Sequence, residues 1–111
     1  MKKGFRLRRP ADFIRVRRSG KSYAHPLLVL YVLKASELEI HVGVSAGLAV
    51  GNAVKRNRAK RLLRVAMNEL LPGTQTGNDL LLIARTPLSG ANVHQTREAL
   101  TEVLKRAGLL S

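Results

Sequence analysis

Between Lys55 and Arg64, six of ten residues are Lys or Arg and none is acidic, yet apolar residues are threaded through the stretch and continue to Leu70. At roughly 100° per residue, a helix over 54–70 stacks Arg56, Lys60 and Arg64 along one stripe at i, i+4 and i+8, with Asn57, Arg61 and Asn68 beside it. Val54, Ala59, Leu62, Leu63, Val65, Ala66 and Leu70 take most of the opposite half, and Lys55 and Arg58 fall nearer that half, close to the N-terminal end. Such a helix must bury one side and leave the other cationic. Like charges at i and i+4 repel by roughly a few tenths of a kcal/mol per pair, and no Glu is interleaved to offset them. An ordinary solvated face mixes Glu with Lys. Arg and Lys with interleaved Asn suit phosphate oxygens and nucleotide edges instead.

The whole chain repeats this bias. Twenty Lys and Arg against seven Asp and Glu give +13 over 111 residues. Nine of the twenty lie in residues 1–21, where Asp12 is the one acid, six in 55–64 and five elsewhere. That concentration favours one or two binding surfaces over a diffuse solubilising charge. A polyanion relieves the self-repulsion, and nucleic acid is the usual one, because each phosphate contact releases condensed counterions. Anionic membrane is the competing partner, but no run of 18 apolar residues is present to span one. The basic N-terminus lacks the apolar stretch of a signal peptide. Zero cysteines exclude disulfides and thiolate metal sites and fit a cytoplasmic protein.

The length fits one domain, residues 1–111, with 45% apolar residues to build a core. Met1 to Arg9 reads as a basic, mobile arm. Pro10 suits the first turn of a helix that Ala11 to Ser19 continue and Gly20 caps. Leu27 to Leu33 is a near-continuous apolar run, as in a buried strand, and Leu38 to Ser45 alternates like a strand with one covered face. With a turn at Ser36 to Glu39, the two are expected to pair as an antiparallel hairpin. Asn52 is an N-cap for the basic helix, which Pro72-Gly73 stops near Leu71. Asp79 to Arg85 reads as a third strand. Asn92 with Gln95 resembles a capping box for a last helix ending at Gly108, with Val93, Leu100, Val103 and Leu104 toward the core. The expected fold is α+β, a small mixed sheet of three to four strands with helices packed on it.

Ala53-Val54-Lys55-Arg56-Asn57-Arg58-Ala59-Lys60-Arg61-Leu62-Leu63-Arg64 resembles the A-V-x-R-N-R-x-K-R-x-x-R signature of the protein subunit of bacterial ribonuclease P, complete at its fixed positions, and Gly51-Asn52 before it also fits. The likeness spans nearly the whole chain: Asp12-Phe13 with Gly20-Lys21 resembles the family's first helix, Leu28 to Tyr31 its central strand, and Gly43-x-Ser45 and Asp79 to Arg85 the strands around the signature. The resemblance implies a left-handed βαβ crossover, against the general right-handed rule. It implies a non-catalytic subunit that binds the RNA subunit and the 5′ leader of precursor tRNA, assisting removal of the leader. The RNA subunit would be the endonuclease and use Mg2+, the protein itself binding no cofactor. By position, Lys55, Arg56, Asn57, Arg58, Lys60, Arg61 and Arg64 would contact the RNA subunit. Phe13, Arg17 and Tyr31 would line the leader cleft, where an aromatic ring can meet the face of an unpaired base; ordinary core packing is the competing role for Phe13 and Tyr31. Three departures touch this cleft: Arg17 stands where the family often has an aromatic, Gly47-Leu48-Ala49 replaces the usual Ser-Lys-Lys, and His41 replaces a common Arg. Weaker cleft-side phosphate contacts are expected, or compensation by the basic arm.

No two histidines among His25, His41 and His94 share close spacing with carboxylates in a ligand pattern, and His41, on an alternating strand, is expected to face the cleft or solvent, with solvent the favoured side. Asp12, Asp79, Glu98 and Glu102 form no catalytic pair, and Gly47, Gly51 and Gly73 form no phosphate loop. A stand-alone nuclease would need an acidic metal cluster or a histidine acid/base pair. A general nucleic-acid or membrane-surface binder would hold duplex DNA or anionic vesicles as well as RNA. No obligate protein partner is evident. Arg58→Ala and Arg61→Ala are both expected to weaken RNA binding without unfolding the domain.

Overall fold

The computed structural model describes residues 6–7, 9–35 and 38–111. Helix α1 (Pro10–Ser19) is followed by strands β1 (Lys21–Ala24), β2 (Leu28–Lys34) and β3 (His41–Ser45), helix α2 (Ala53–Leu70), strand β4 (Asn78–Ala84) and helix α3 (Val93–Arg106). Short 3-10 turns at Leu48–Val50, Leu71–Gly73 and Thr86–Gly90 join them. The helix ends follow the sequence closely. Pro10 opens α1, Asn52 Oδ1 accepts the Lys55 N–H at 3.0 Å, and the Asn92/Gln95 capping box is complete. Gly20 caps α1 as expected, its N–H donating to the Val16 carbonyl at 2.8 Å from an extended backbone (φ −80°); a side chain there would strike that carbonyl and the β2 backbone at Val32.

The strands form one sheet in the order β1-β2-β4-β3. β1/β2 and β2/β4 are antiparallel, β3/β4 parallel. The expected hairpin between β2 and β3 is therefore wrong: β4 lies between them. Leu80, Leu81 and Leu82 are buried in sequence, so β4 is apolar on both faces and belongs inside the sheet. β1 went unforeseen, for its four residues are mostly exposed and carry no apolar run. The turn expected at 36–39 falls partly on Ser36 and Glu37, outside the described residues.

Strand alternation gives the sheet two unlike faces. Leu28, Leu30, Val42, Val44, Leu80, Leu82 and Ala84 pack against α2 and α3 in one core with Leu63, Met67, Leu100 and Leu104. On the other face the register aligns three rows: Leu33–Asp79–His41, Tyr31–Leu81–Gly43 and Val29–Ile83–Ser45. Helix α1 lies on this face and buries Val16 completely, with Leu81 buried beneath. Of the expected arm, residues 1–5 and 8 lie outside the described residues. Arg6 and Leu7 are not free: they run beside β3, where the Leu7 N–H donates to the Val42 carbonyl at 3.0 Å.

Candidate nucleic-acid interface

Helix α2 rests on Ala59, Leu62, Leu63, Ala66 and Met67. Two residues assigned to its packing half are on the outside: Val54 is 75% exposed and Val65 38%. At about 100° per residue they lie roughly 130–150° from the centre of the buried arc, while Met67, unassigned, lies within it. Arg56, Lys60 and Arg64 flank the arc and are half-buried. Asn57, Arg61 and Asn68 form the crest, all exposed. Glu69, on the opposite flank from the stripe, pairs with Arg97 of α3 at 2.9 Å.

Electrostatically the helix is built against itself. Its first turn holds no acid, although the N-terminal end of a helix favours anions. Among the described residues, no carboxylate comes within salt-bridge distance of Lys55, Arg56, Arg58, Lys60, Arg61 or Arg64. The described side-chain carboxylates are engaged elsewhere: Asp12 and Asp79 with Arg15, Glu69 with Arg97, Glu39 with His41, Glu98 with His94 and Glu102 with His25. Burial lowers the Arg64 pKa, and the nearby Arg6 charge lowers it further. Gly51 sets the entry to the helix; its φ of +135° is a conformation that side chains disfavour, and the Lys55 stem lies over it. Arg58 is not free like Arg61: its Nε donates to the Ser89 carbonyl at 2.8 Å and its Nη2 to the Ala91 carbonyl at 3.3 Å.

A second surface lies on the other face of the sheet. The Phe13 ring sits on Gly43, where an added Cβ would come within 2.9 Å of it. Tyr31 lies in the same row, beyond Leu81, and both aromatics are half-buried. Arg15 leaves the opposite flank of α1 from Arg17 and clasps the sheet: its Nη2 donates to Asp79 Oδ2 at 2.6 Å, and His41 Nδ1 lies 3.1 Å from Asp79 Oδ1. The hydrogen bond to Asp79 raises the Arg15 pKa. With Arg15 directed to the Leu33–Asp79–His41 row, Phe13 and exposed Arg17 stand along the other flank, beside the half-buried Val29–Ile83–Ser45 row. The result is a shelf of open sheet bounded by α1. His41 is thus not solvated: it belongs to the clasp and also lies 3.5 Å from Glu39. The clasp had one sequence signal, a lone acid heading an apolar strand, which must find a partner when buried.

A family model for ribonuclease P matches residues 1–108. The chain belongs to the ribonuclease P protein family. The ribonuclease P protein component of Exiguobacterium sp. is 41% identical over 107 residues, covering 96% of this chain and 93% of the relative. That of Chloroflexus aurantiacus is 39% identical over 111 residues, covering 99% and 82%. The solved structure of the Staphylococcus aureus RNase P protein superposes with a TM-score of 0.86 at 30% identity, covering 98% of this chain and all of that one. The Thermotoga maritima RNase P protein gives 0.81 at 28% identity, covering 91% and 96%. Membership gives this ribonuclease P protein the role of the protein subunit in tRNA processing, associated with the ribonuclease P RNA. Among the described residues, no three His, Asp or Glu converge to hold a metal ion, and no helix is long and apolar enough to cross a membrane.

Proposed function

We propose that α2 binds the RNA subunit of ribonuclease P through Lys55, Arg56, Asn57, Arg58, Lys60, Arg61 and Arg64, and that the shelf beside α1 receives the 5′ leader of precursor tRNA against Phe13, Arg17 and Tyr31. The observation that carries this reading is the set of six α2 cations with no described carboxylate in reach, in a helix whose first turn lacks an acid. Phosphates would supply the missing counter-charge. The leader reading is supported by two half-buried aromatics in one row across an incompletely covered sheet face, with Leu81 between them. An unpaired strand fits there, because its bases can lie on rings and its phosphates can meet Arg17.

The protein's part is then to hold two RNAs in register, and bond cleavage belongs to the RNA subunit with its magnesium ions. The described acids are tied to Arg or His, which supports leaving the magnesium chemistry to the RNA. Precursor tRNA as substrate places the work in the cytoplasm. Reconstitution with ribonuclease P RNA at low magnesium tests the whole reading. Cleavage of precursor tRNA should rise on adding the protein, and the gain should shrink for a substrate whose leader is cut to a single nucleotide. No gain in cleavage would overturn it.

A further inference from the structure

Between α2 and the start of α3 lies a notch of about 400 Å³ lined by Arg58, Arg61, Leu62, Val65, Asn92 and Val93. Its volume is within the range of small-ligand sites. The floor is apolar: Leu62 is buried, Val93 half-buried, and Val65 is exposed although it sits mid-helix. The rim is cationic. The two carbonyl bonds of Arg58 fix its guanidinium plane at the notch and leave Nη1 undonated. Arg61 is exposed and makes no hydrogen bond or ion pair with the described residues.

We propose that this notch seats one unpaired nucleotide of the RNA subunit, its base on the Val65–Val93 floor beside the Arg58 plane and its phosphate on Arg61. The inference rests on α2 being the RNA-subunit helix and adds a site for a base to a surface otherwise read as meeting phosphates. A guanidinium plane is a stacking partner for a splayed base, and one already fixed by the protein loses little freedom on binding. An apolar floor gives nothing to a phosphate and suits a base. Two rim cations without an acid select a polyanion over a protein side chain. Duplex RNA could meet the rim through phosphates but would leave the floor empty, because its bases stay paired.

The test compares Val65→Ala with Val54→Ala, titrating each against the RNA subunit across a range of salt. Val54 is on the same helix, more exposed, and outside the notch. Val65→Ala should weaken binding roughly three- to tenfold with an unchanged salt slope, since an apolar contact to a base releases no counterions. Val54→Ala should stay within about twofold of the parent. The chain has no cysteine, so Val65→Cys offers a single thiol for a photo-crosslinker in the assembled holoenzyme. It should capture an unpaired nucleotide. Equal affinities for the two alanine variants, or crosslinks confined to duplex RNA or to protein, would overturn the notch. Failure of the parent chain to bind the RNA subunit would instead remove the reading of α2 itself.

Discussion

At the scale of single residues, the shelf beside α1 depends on the Phe13–Gly43 contact and on the clasp of Arg15, Asp79 and His41. A glycine inside a strand ordinarily gains stability on replacement by alanine, but Gly43 lies under the Phe13 ring, and the sign reverses. Gly43→Ala should cost about 1–3 kcal/mol by overpacking, read as a lower melting temperature. It should raise KM for leader-bearing precursor while leaving affinity for the RNA subunit unchanged. An unchanged melting temperature would show that Phe13 does not rest there. Asp79 is 5% exposed and holds both Arg15 and His41, so Asp79→Ala takes from each its shorter acidic contact and leaves the 3.5 Å ones to Asp12 and Glu39. Arg15 is 44% exposed and can turn to water, which puts the expected loss at about 1–2 kcal/mol by chemical denaturation. The pH dependence from Arg15 follows its raised pKa. Its contribution is whole below the ordinary guanidinium value and fades only in strong alkali, so a denaturation series from pH 6 to 9 should show none from this group. Arg64 has the opposite character, a charge pressed by burial and by Arg6. Arg64→Gln should keep or raise the melting temperature while weakening RNA binding; a destabilised variant would mean that Arg64 supports the fold.

At the scale of elements, α2 shows what spacing can and cannot settle. The boundaries, the Asn52 cap and the cationic stripe follow from local rules, and the structure keeps them. The outward positions of Val54 and Val65 do not follow from residue type, because both are apolar and only the angular position separates them from Ala59 and Ala66. Arg58 and Arg61 also divide in a way the sequence does not show, since the acceptors of Arg58 lie some 30 residues away in the turn before α3. Arg58→Ala should therefore lose stability as well as RNA affinity. Arg61→Ala should leave the melting temperature unchanged and reduce the salt slope of binding by about one. Equal melting temperatures for the two variants would refute the structural role of Arg58. The α1 clasp was harder to foresee: Arg15 and Asp79 are 64 positions apart, and nothing near either one names the other.

At the scale of the molecule, the α+β class and most elements were legible because each needs only its own residues: a capping box, a proline, an apolar run. The sheet order was not, because strand partners are chosen by which faces remain to be covered. Leu80-Leu81-Leu82 held that information, since a strand apolar on both sides cannot sit at an edge. This central position also bears on how the chain is made. β4 is the last strand in sequence, yet it alone touches both β2 and β3. A chain ending before Asn78 has no strand to join its two halves, and α2, already complete, has half of a floor to rest on. Residues 1–76 expressed alone should lack cooperative unfolding; a sharp melting transition would refute this. On the ribosome, the basic helix would emerge early but gain its fixed orientation only once β4 had followed. Formation of the surface we assign to the RNA subunit is thus timed by the order of synthesis, and its final shape waits for β4, residues 78–84 of 111.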